Sequence, residues 1–294
     1  MIAILFVALA FLTLGFVAVW AFEVRKNPDT PDPGVPNAER VAVGFFANFF
    51  DALGIGSFAT STTYFRLRKL VRDELIPGTL NVGHCLPTIT QAFIGITLIQ
   101  VDPLTLVLMI AAAVAGAWIG AGVVSRLPRR AIQIGMGLAL VIAAGFMLAK
   151  LTGVMPSSGV GTLDLQGWRL ALGLIGSFFL GTIMPLGIGY YAPCMILVSM
   201  LGMSPKATFP IMMGACAFLM PVASAQFVRK KKYSLRTAAG LAAGGIFGSA
   251  LALLVVKEMN LRTVMWLVTV VVVYTGLSLL RSAAVDRRPA PTAV

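Results

Sequence analysis

The sequence predicts an all-α integral membrane protein of two inverted pseudo-repeats, each a re-entrant helical hairpin plus three transmembrane helices, with one extra N-terminal transmembrane helix. Three observations lead there. First, the 294 residues are 58% hydrophobic and only 12% charged, with mean hydropathy +0.91, too little polar surface to coat a water-soluble fold. Second, Leu53-Gly54-Ile55-Gly56 returns 133 positions later as Leu186-Gly187-Ile188-Gly189. The same ungapped offset pairs Phe45 with Phe178, Ala59 with Ala192, Pro77 with Pro210 and Leu86 with Leu219, the mark of a duplicated unit. Third, the basic clusters fall at different joints in the two copies.

Residues 2–22 form an uncharged run long enough to span a bilayer. Its nearest positive charges, Arg25 and Lys26, follow it, whereas a secretory signal carries its charge in front. A retained helix with an extracytoplasmic N-terminus is therefore expected, the competing reading being cleavage after Ala21. Residues 27–40, with Pro28, Pro31, Pro33, Gly34 and Pro36, read as an extended loop that completes this N-terminal segment, 1–40.

The first repeat occupies 41–150, with apolar stretches at 41–65 (broken at LGIG), 75–99, 103–125 and 131–149. An extracytoplasmic linker is expected over 151–167. The second repeat fills 168–282, its stretches being 168–203 with the second LGIG, 207–228, 237–256 and 263–280. A cytoplasmic tail, 283–294, closes the chain.

In the first copy the LGIG stretch is followed by Arg66, Arg68, Lys69 and Arg72, and the next joint is bare. In the second it is followed by a lone Lys206, and the next joint holds Arg229-Lys230-Lys231-Lys232. Basic joints favour the cytoplasm, so the copies should be upside down relative to one another. Inversion needs an odd number of crossings per copy, yet each shows four apolar stretches. A hairpin that enters and leaves on one side, with LGIG at its tip, reconciles the two. On that path 66–74, 126–130, 229–236 and the C-terminal tail lie inside, and 100–103, 150–167 and 200–206 outside.

Glycine pairs let the backbone leave helical geometry. In lipid such a break needs protein or a polar cavity to satisfy the freed amides and carbonyls, so two matching breaks point to a solute site near the midplane. Half-helix N-termini aimed at a common point suit an anion. The candidate substrate-binding residues are Gly54, Gly56, Ser57 and Thr60, then Gly187, Gly189, Tyr190 and Tyr191, with Asn81 and His84 on the next stretch. For the hydroxyls, the competing reading is a bond to their own helix carbonyls. Gln91 shares the polar lining of that stretch.

Asp51 lies two residues before the first turn. An ionised Asp at the bilayer centre costs about 2.5 to 3.5 kcal/mol on insertion scales, so it should be paired, protonated or wet. It reads either as a coupling residue, carrying H⁺ or ligating Na⁺, or as a cap on the hairpin's second arm. His84, the single histidine, can donate to an anion and relay a coupling proton, or be a satisfied interhelical bond.

Lys plus Arg exceed Asp plus Glu, 23 to 11, but the charge collects at helix ends without aromatic interleaving, which excludes nucleic acid as partner. Cys85, Cys194 and Cys216 form neither CxxC nor a Cys/His pair, so no metal site is expected. The absence of HExxH, GxSxG, paired carboxylates and GKS/T leaves no catalytic residues, no cofactor and no ATP-driven pump; the chain is not an enzyme.

In two segments, Asp51 through Gly56 to Pro77-Gly78-Thr79-Leu80-Asn81-Val82-Gly83-His84, and Leu186 through Ala192-Pro193 to Leu201-Gly202-Met203-Ser204-Pro205-Lys206-Ala207-Thr208, the chain resembles the sulfite exporter TauE/SafE family. The resemblance covers about 41–280. Where many members carry a richer glycine turn and an Asn-Lys pair, this chain has Met212-Met213. The resemblance implies a secondary transporter of the bacterial inner membrane that exports sulfite or a sulfonate such as taurine or sulfoacetate. Expected partners are the small anion, the lipid bilayer, a coupling H⁺ or Na⁺ and a second copy in a homodimer. The rival from another class is a passive anion channel built on two re-entrant half-helices.

Overall fold

The apolar runs become helices, and they end where glycine, proline or charge makes continuing them unfavourable. The computed structural model describes residues 2–27, 29–53, 55–95, 101–154, 161–187, 189–204, 207–255 and 262–285. Gly54, Ile188, Pro205, Lys206 and the joints at 96–100 and 256–261 lie outside them. Among the described residues there are eleven α-helices and no strand: α1 Ile2–Lys26, α2 Ala38–Ala52, α3 Ser57–Arg68, α4 Ile76–Gly95, α5 Pro103–Val124, α6 Arg129–Leu151, α7 Gly167–Ile183, α8 Tyr191–Met200, α9 Thr208–Arg229, α10 Leu235–Val255 and α11 Arg262–Val285.

Local chemistry sets the ends. Asp102 caps α5, its carboxylate accepting from Thr105 N–H at 2.8 Å with Pro103 in the first turn. Asn37 caps α2 by accepting from Arg40 N–H. At the two LGIG turns the helix is interrupted. Gly56 takes φ +92° between α2 and α3, and Gly187 and Gly189 take φ +109° and +78° between α7 and α8, values an L side chain resists.

Six helices among the described residues are long and apolar enough to cross a membrane: α1, α5, α6, α7 with the 3-10 turn that follows it, α9 and α10. The chain is a multi-pass membrane protein. Helix α4 is as long, 20 residues or about 30 Å, but carries buried polar side chains along one face. In α1 only 11% of the apolar window is buried, against 78% in α9: the first helix lies on the periphery and the ninth at the centre.

The helices pair across the two copies. Helix α2 packs on α10 and α7 on α5; α4 packs on α10 and α9 on α5; α4 meets α9, and α6 meets α11. Each pairing thus has its counterpart in the other copy. Boundaries repeat too: α4, α5 and α6 moved by 133 become 209–228, 236–257 and 262–284, beside α9, α10 and α11. Small residues allow the closest contacts. A Cβ on Gly116 or Gly120 of α5 would lie 2.0 Å from the Phe178 or Thr182 carbonyl oxygen of α7, and one on Gly244 or Gly248 of α10 would lie 1.9 or 2.1 Å from the Val41 or Phe45 carbonyl oxygen of α2. Both are small-xxx-small seams.

Joints sort to two ends. At one, Tyr64 and Arg68 at the end of α3 bond Glu39 at the start of α2, Arg66 bonds Ser282, Arg130 bonds the Ala283 carbonyl and Lys230 bonds Ser125. The proline-rich loop is docked there, with Pro31 and Asp32 carbonyls accepting from Leu235 and Arg236 N–H. These are first-turn amides of α10 that the helix cannot pair internally. At the other end, Asp102 pairs with Leu163 and Thr162 with Gly202 through the backbone.

Candidate functional site

Helix α4 is where the candidate residues converge. Asn81, His84, Thr88 and Gln91 follow one another at three- and four-residue spacing and so share a face. All four are buried, with Asn81, His84 and Gln91 fully so. This face touches both glycine turns at different levels.

At Gln91 lies the first turn. The α2 helix stops at Ala52 and Asp51 turns its carboxylate onto the start of α3, where Oδ1 accepts from Ser57 N–H at 2.7 Å. Its Oδ2 accepts from Gln91 Nε2 at 2.9 Å. Gln91 Nε2 also donates to Ser249 Oγ of α10 at 3.1 Å, and Gln91 Oε1 accepts from the Tyr191 hydroxyl at 3.0 Å. One amide therefore ties the first turn to the residue that opens α8, just past the second. Among the described residues no Lys or Arg forms an ion pair with Asp51. The carboxylate rests on the backbone amide and side chain of Ser57 and on the Gln91 carboxamide, occupying the helix-start position where an incoming anion was expected.

His84 lies two turns back. Asn48 Nδ2 donates to the Gly44 carbonyl at 2.8 Å, which leaves Asn48 Oδ1 to accept from His84 Nδ1–H at 3.1 Å. His84 Nε2 then accepts from Ser61 Oγ at 3.0 Å. The network assigns a neutral imidazole with its proton on Nδ1.

At Asn81 lies the second turn. Its Nδ2 donates to the Pro77 and Pro185 carbonyls at 2.8 and 3.1 Å, and its Oδ1 is buried without a partner. Gly187 faces Met136 and Leu80. Ten residues of α4 separate the two levels, about 15 Å at 1.5 Å per residue. The two turns therefore contact α4 at different levels rather than meeting tip to tip, and the α4 face bridges the interval.

The structure brings Asp51, Ser57, Gln91 and Tyr191 together, with His84 and Asn81 further along the same face. It does not bring Tyr190 there: that hydroxyl pairs with Ser177, whose own proton goes to the Met109 carbonyl, in the α5–α7 seam. Thr60 bonds back to the Gly56 and Ser57 carbonyls. Gly54 lies outside the described residues. Asn48 and Ser249 escaped the sequence reading; both stand on otherwise apolar helix runs, where a single polar residue was the available signal. No group of three or more potential metal ligands occurs among the described residues.

Residues 1–148, from α1 to within the last turn of α6, match the family described as Sulfite exporter TauE/SafE. No curated protein and no solved structure matches the chain.

Proposed function

The chain belongs to the sulfite exporter TauE/SafE family, and from that premise we propose that it is a secondary transporter that exports a small sulfur-containing anion, sulfite or a sulfonate such as taurine or sulfoacetate. It works by alternating access between two inverted repeats, 41–150 and 168–282. The observation that carries this reading is the Asp51–Gln91–Tyr191 link, a buried polar connection between two glycine-broken elements from different copies.

Support for opposed re-entrant hairpins comes from the contacts. The start of α2 and the end of α3 bond each other at one end, while Arg169 near the start of α7 approaches Gly202 just after α8 at the other. The basic end faces the cytoplasm of a bacterial inner membrane, with the N-terminus outside and the C-terminus inside.

Coupling follows from charge. An ionised Asp51 repels an anion near the start of α3, in a setting where little water screens the pair. A proton on Asp51 removes that repulsion, so protonation of Asp51 and binding of the anion favour one another. The neutral His84, joined to α3 through Ser61, completes the proton path. The half-helix α8 starts at Tyr191 with no side-chain cap, so its first amides are available to the anion.

The test is uptake of sulfite, taurine and sulfoacetate into proteoliposomes under an imposed pH gradient. Saturable, trans-stimulated flux that follows the gradient is expected. Non-saturating flux indifferent to the trans solute would replace the carrier with a channel.

A further inference from the structure

We infer that the basic end of the protein holds a second oxyanion site, distinct from the buried α4 face, which captures a sulfonate, sulfate or phosphate group between α3, α6 and α11. The role assigned to it, loading the exporter, rests on the transport reading; the binding does not.

The site is a cavity of about 710 Å³ lined by Arg66, Lys69, Arg72 and Arg129 and by only two carboxylates, Asp73 and Glu74. The cations are not equally committed. Arg66 is held by Asp73 through two contacts of 2.7 and 2.8 Å, and Asp73 also accepts from Gln133 at 2.9 Å. That carboxylate is therefore largely spent on holding α3 to α6. Arg129 reaches it only at 3.5 Å, with 61% of its side chain exposed. Arg72 touches Glu74 at 3.4 Å and is 70% exposed. Lys69, on the left-handed cap of α3, has no ion pair among the described residues.

Three weakly engaged cations, two on the joint after α3 and one at the start of α6, thus face one concave space. Such a cluster lowers the energy of an anion and raises its local concentration. The first turn of α6 starts at Arg129 and adds the positive end of its dipole.

A lipid phosphate offers the same chemistry as a free sulfonate, and the experiment separates them. Hydrogen exchange of the full chain is followed by mass spectrometry in detergent with sodium methanesulfonate or with chloride at equal ionic strength. It is repeated in nanodiscs of zwitterionic lipid with and without an anionic lipid.

Methanesulfonate should slow exchange in 69–75 and 129–136, and K69Q/R129Q, both exposed positions, should remove that protection while K69R/R129K keeps it. In proteoliposomes K69Q/R129Q should raise the KM about fivefold with the maximal rate held within about twofold, as expected for loss of rim charges. Protection by anionic lipid alone, lost in K69Q/R129Q, keeps the site and makes its occupant a headgroup. No protection from either source, or protection unchanged in K69Q/R129Q, overturns the proposal. Protection without any transport by the native chain overturns the transport reading instead.

Discussion

The two glycine turns each hold a positive-φ glycine at the matching position, Gly56 and Gly189, and differ in chemistry. Around the first, Asp51, Ser57, Gln91 and Ser249 form a continuous hydrogen-bonded set. Around the second, Gly187 faces Met136 and Leu80, and Leu186 packs against Gly135. The supporting helices differ in the same way. Where α4 presents Asn81, His84, Thr88 and Gln91, the matching positions of α9 are Gly214, Ala217, Pro221 and Ser224. The helix break and the close seams recur in both halves, while the carboxylate, the imidazole and the Gln91 carboxamide stand in the first, with Tyr191 and Ser249 of the second bonding to Gln91. The start of α8 has no side-chain cap, whereas the start of α3 is capped by the Asp51 carboxylate; in the proposed transport reading the anion goes to the first and the coupling charge to the second.

The largest effect should come from what the copies share. Gly120→Val on the α5–α7 seam and Gly244→Val on the α2–α10 seam each force a side chain into a carbonyl oxygen 2.0 or 1.9 Å away. Overpacking of this kind costs about 1–3 kcal/mol or more. Both variants should lower the unfolding temperature in detergent by several degrees, to a similar extent; a strong loss in one alone would break the equivalence of the seams.

Asp51→Asn comes next and should act on the first turn only. Asparagine still caps a helix, so thermal stability should stay close to native while gradient-driven flux falls at least about tenfold, in the range of a lost acid–base group. Full retention of pH-driven flux would remove Asp51 from the coupling.

Gln91→Leu against Ser224→Ala tests the supporting helices at matched positions. The first severs the contact between Asp51 and Tyr191 and should reduce flux about tenfold, a loss comparable to stranding buried polar partners at about 1–3 kcal/mol. The second should leave flux within about twofold, as changes away from such networks do. Equal effects would erase the contrast between the halves.

The smallest effect concerns the hairpin's base. Arg68, and then Tyr64, hold the half-buried Glu39 carboxyl below its usual value of 4.5. A depressed carboxyl stabilises the fold above its unfolded pKa and loses that contribution as pH falls through the folded one. Glu39→Gln should therefore be slightly less stable than native at neutral pH and lose less on acidification below about 4.5, read as unfolding temperature against pH.

Much of the architecture was legible in the residues. Apolar runs became helices, LGIG interrupted them twice, and joints expected to share a side gather at one end of the bundle. Asp51 was legible as a residue needing a partner, because a carboxylate in an apolar run is too costly to leave alone. Its partners were not: Gln91 is 40 residues away and Ser57 reaches it only because Gly56 turns the chain back. Tyr190 and Tyr191 were indistinguishable as neighbours after a glycine turn, yet a helix sends adjacent side chains to different faces. One lies in the α5–α7 seam and the other on α4.

The sequence by itself determined a helical membrane protein, the duplication, the position of the breaks and the residues whose burial demands company. Those are properties of single segments, governed by transfer into lipid and by what glycine permits. Only the tertiary structure decided which polar groups satisfy one another and that the two turns meet α4 at different levels. Both depend on the axial register between helices, which is set by how closely the glycine seams let their backbones approach.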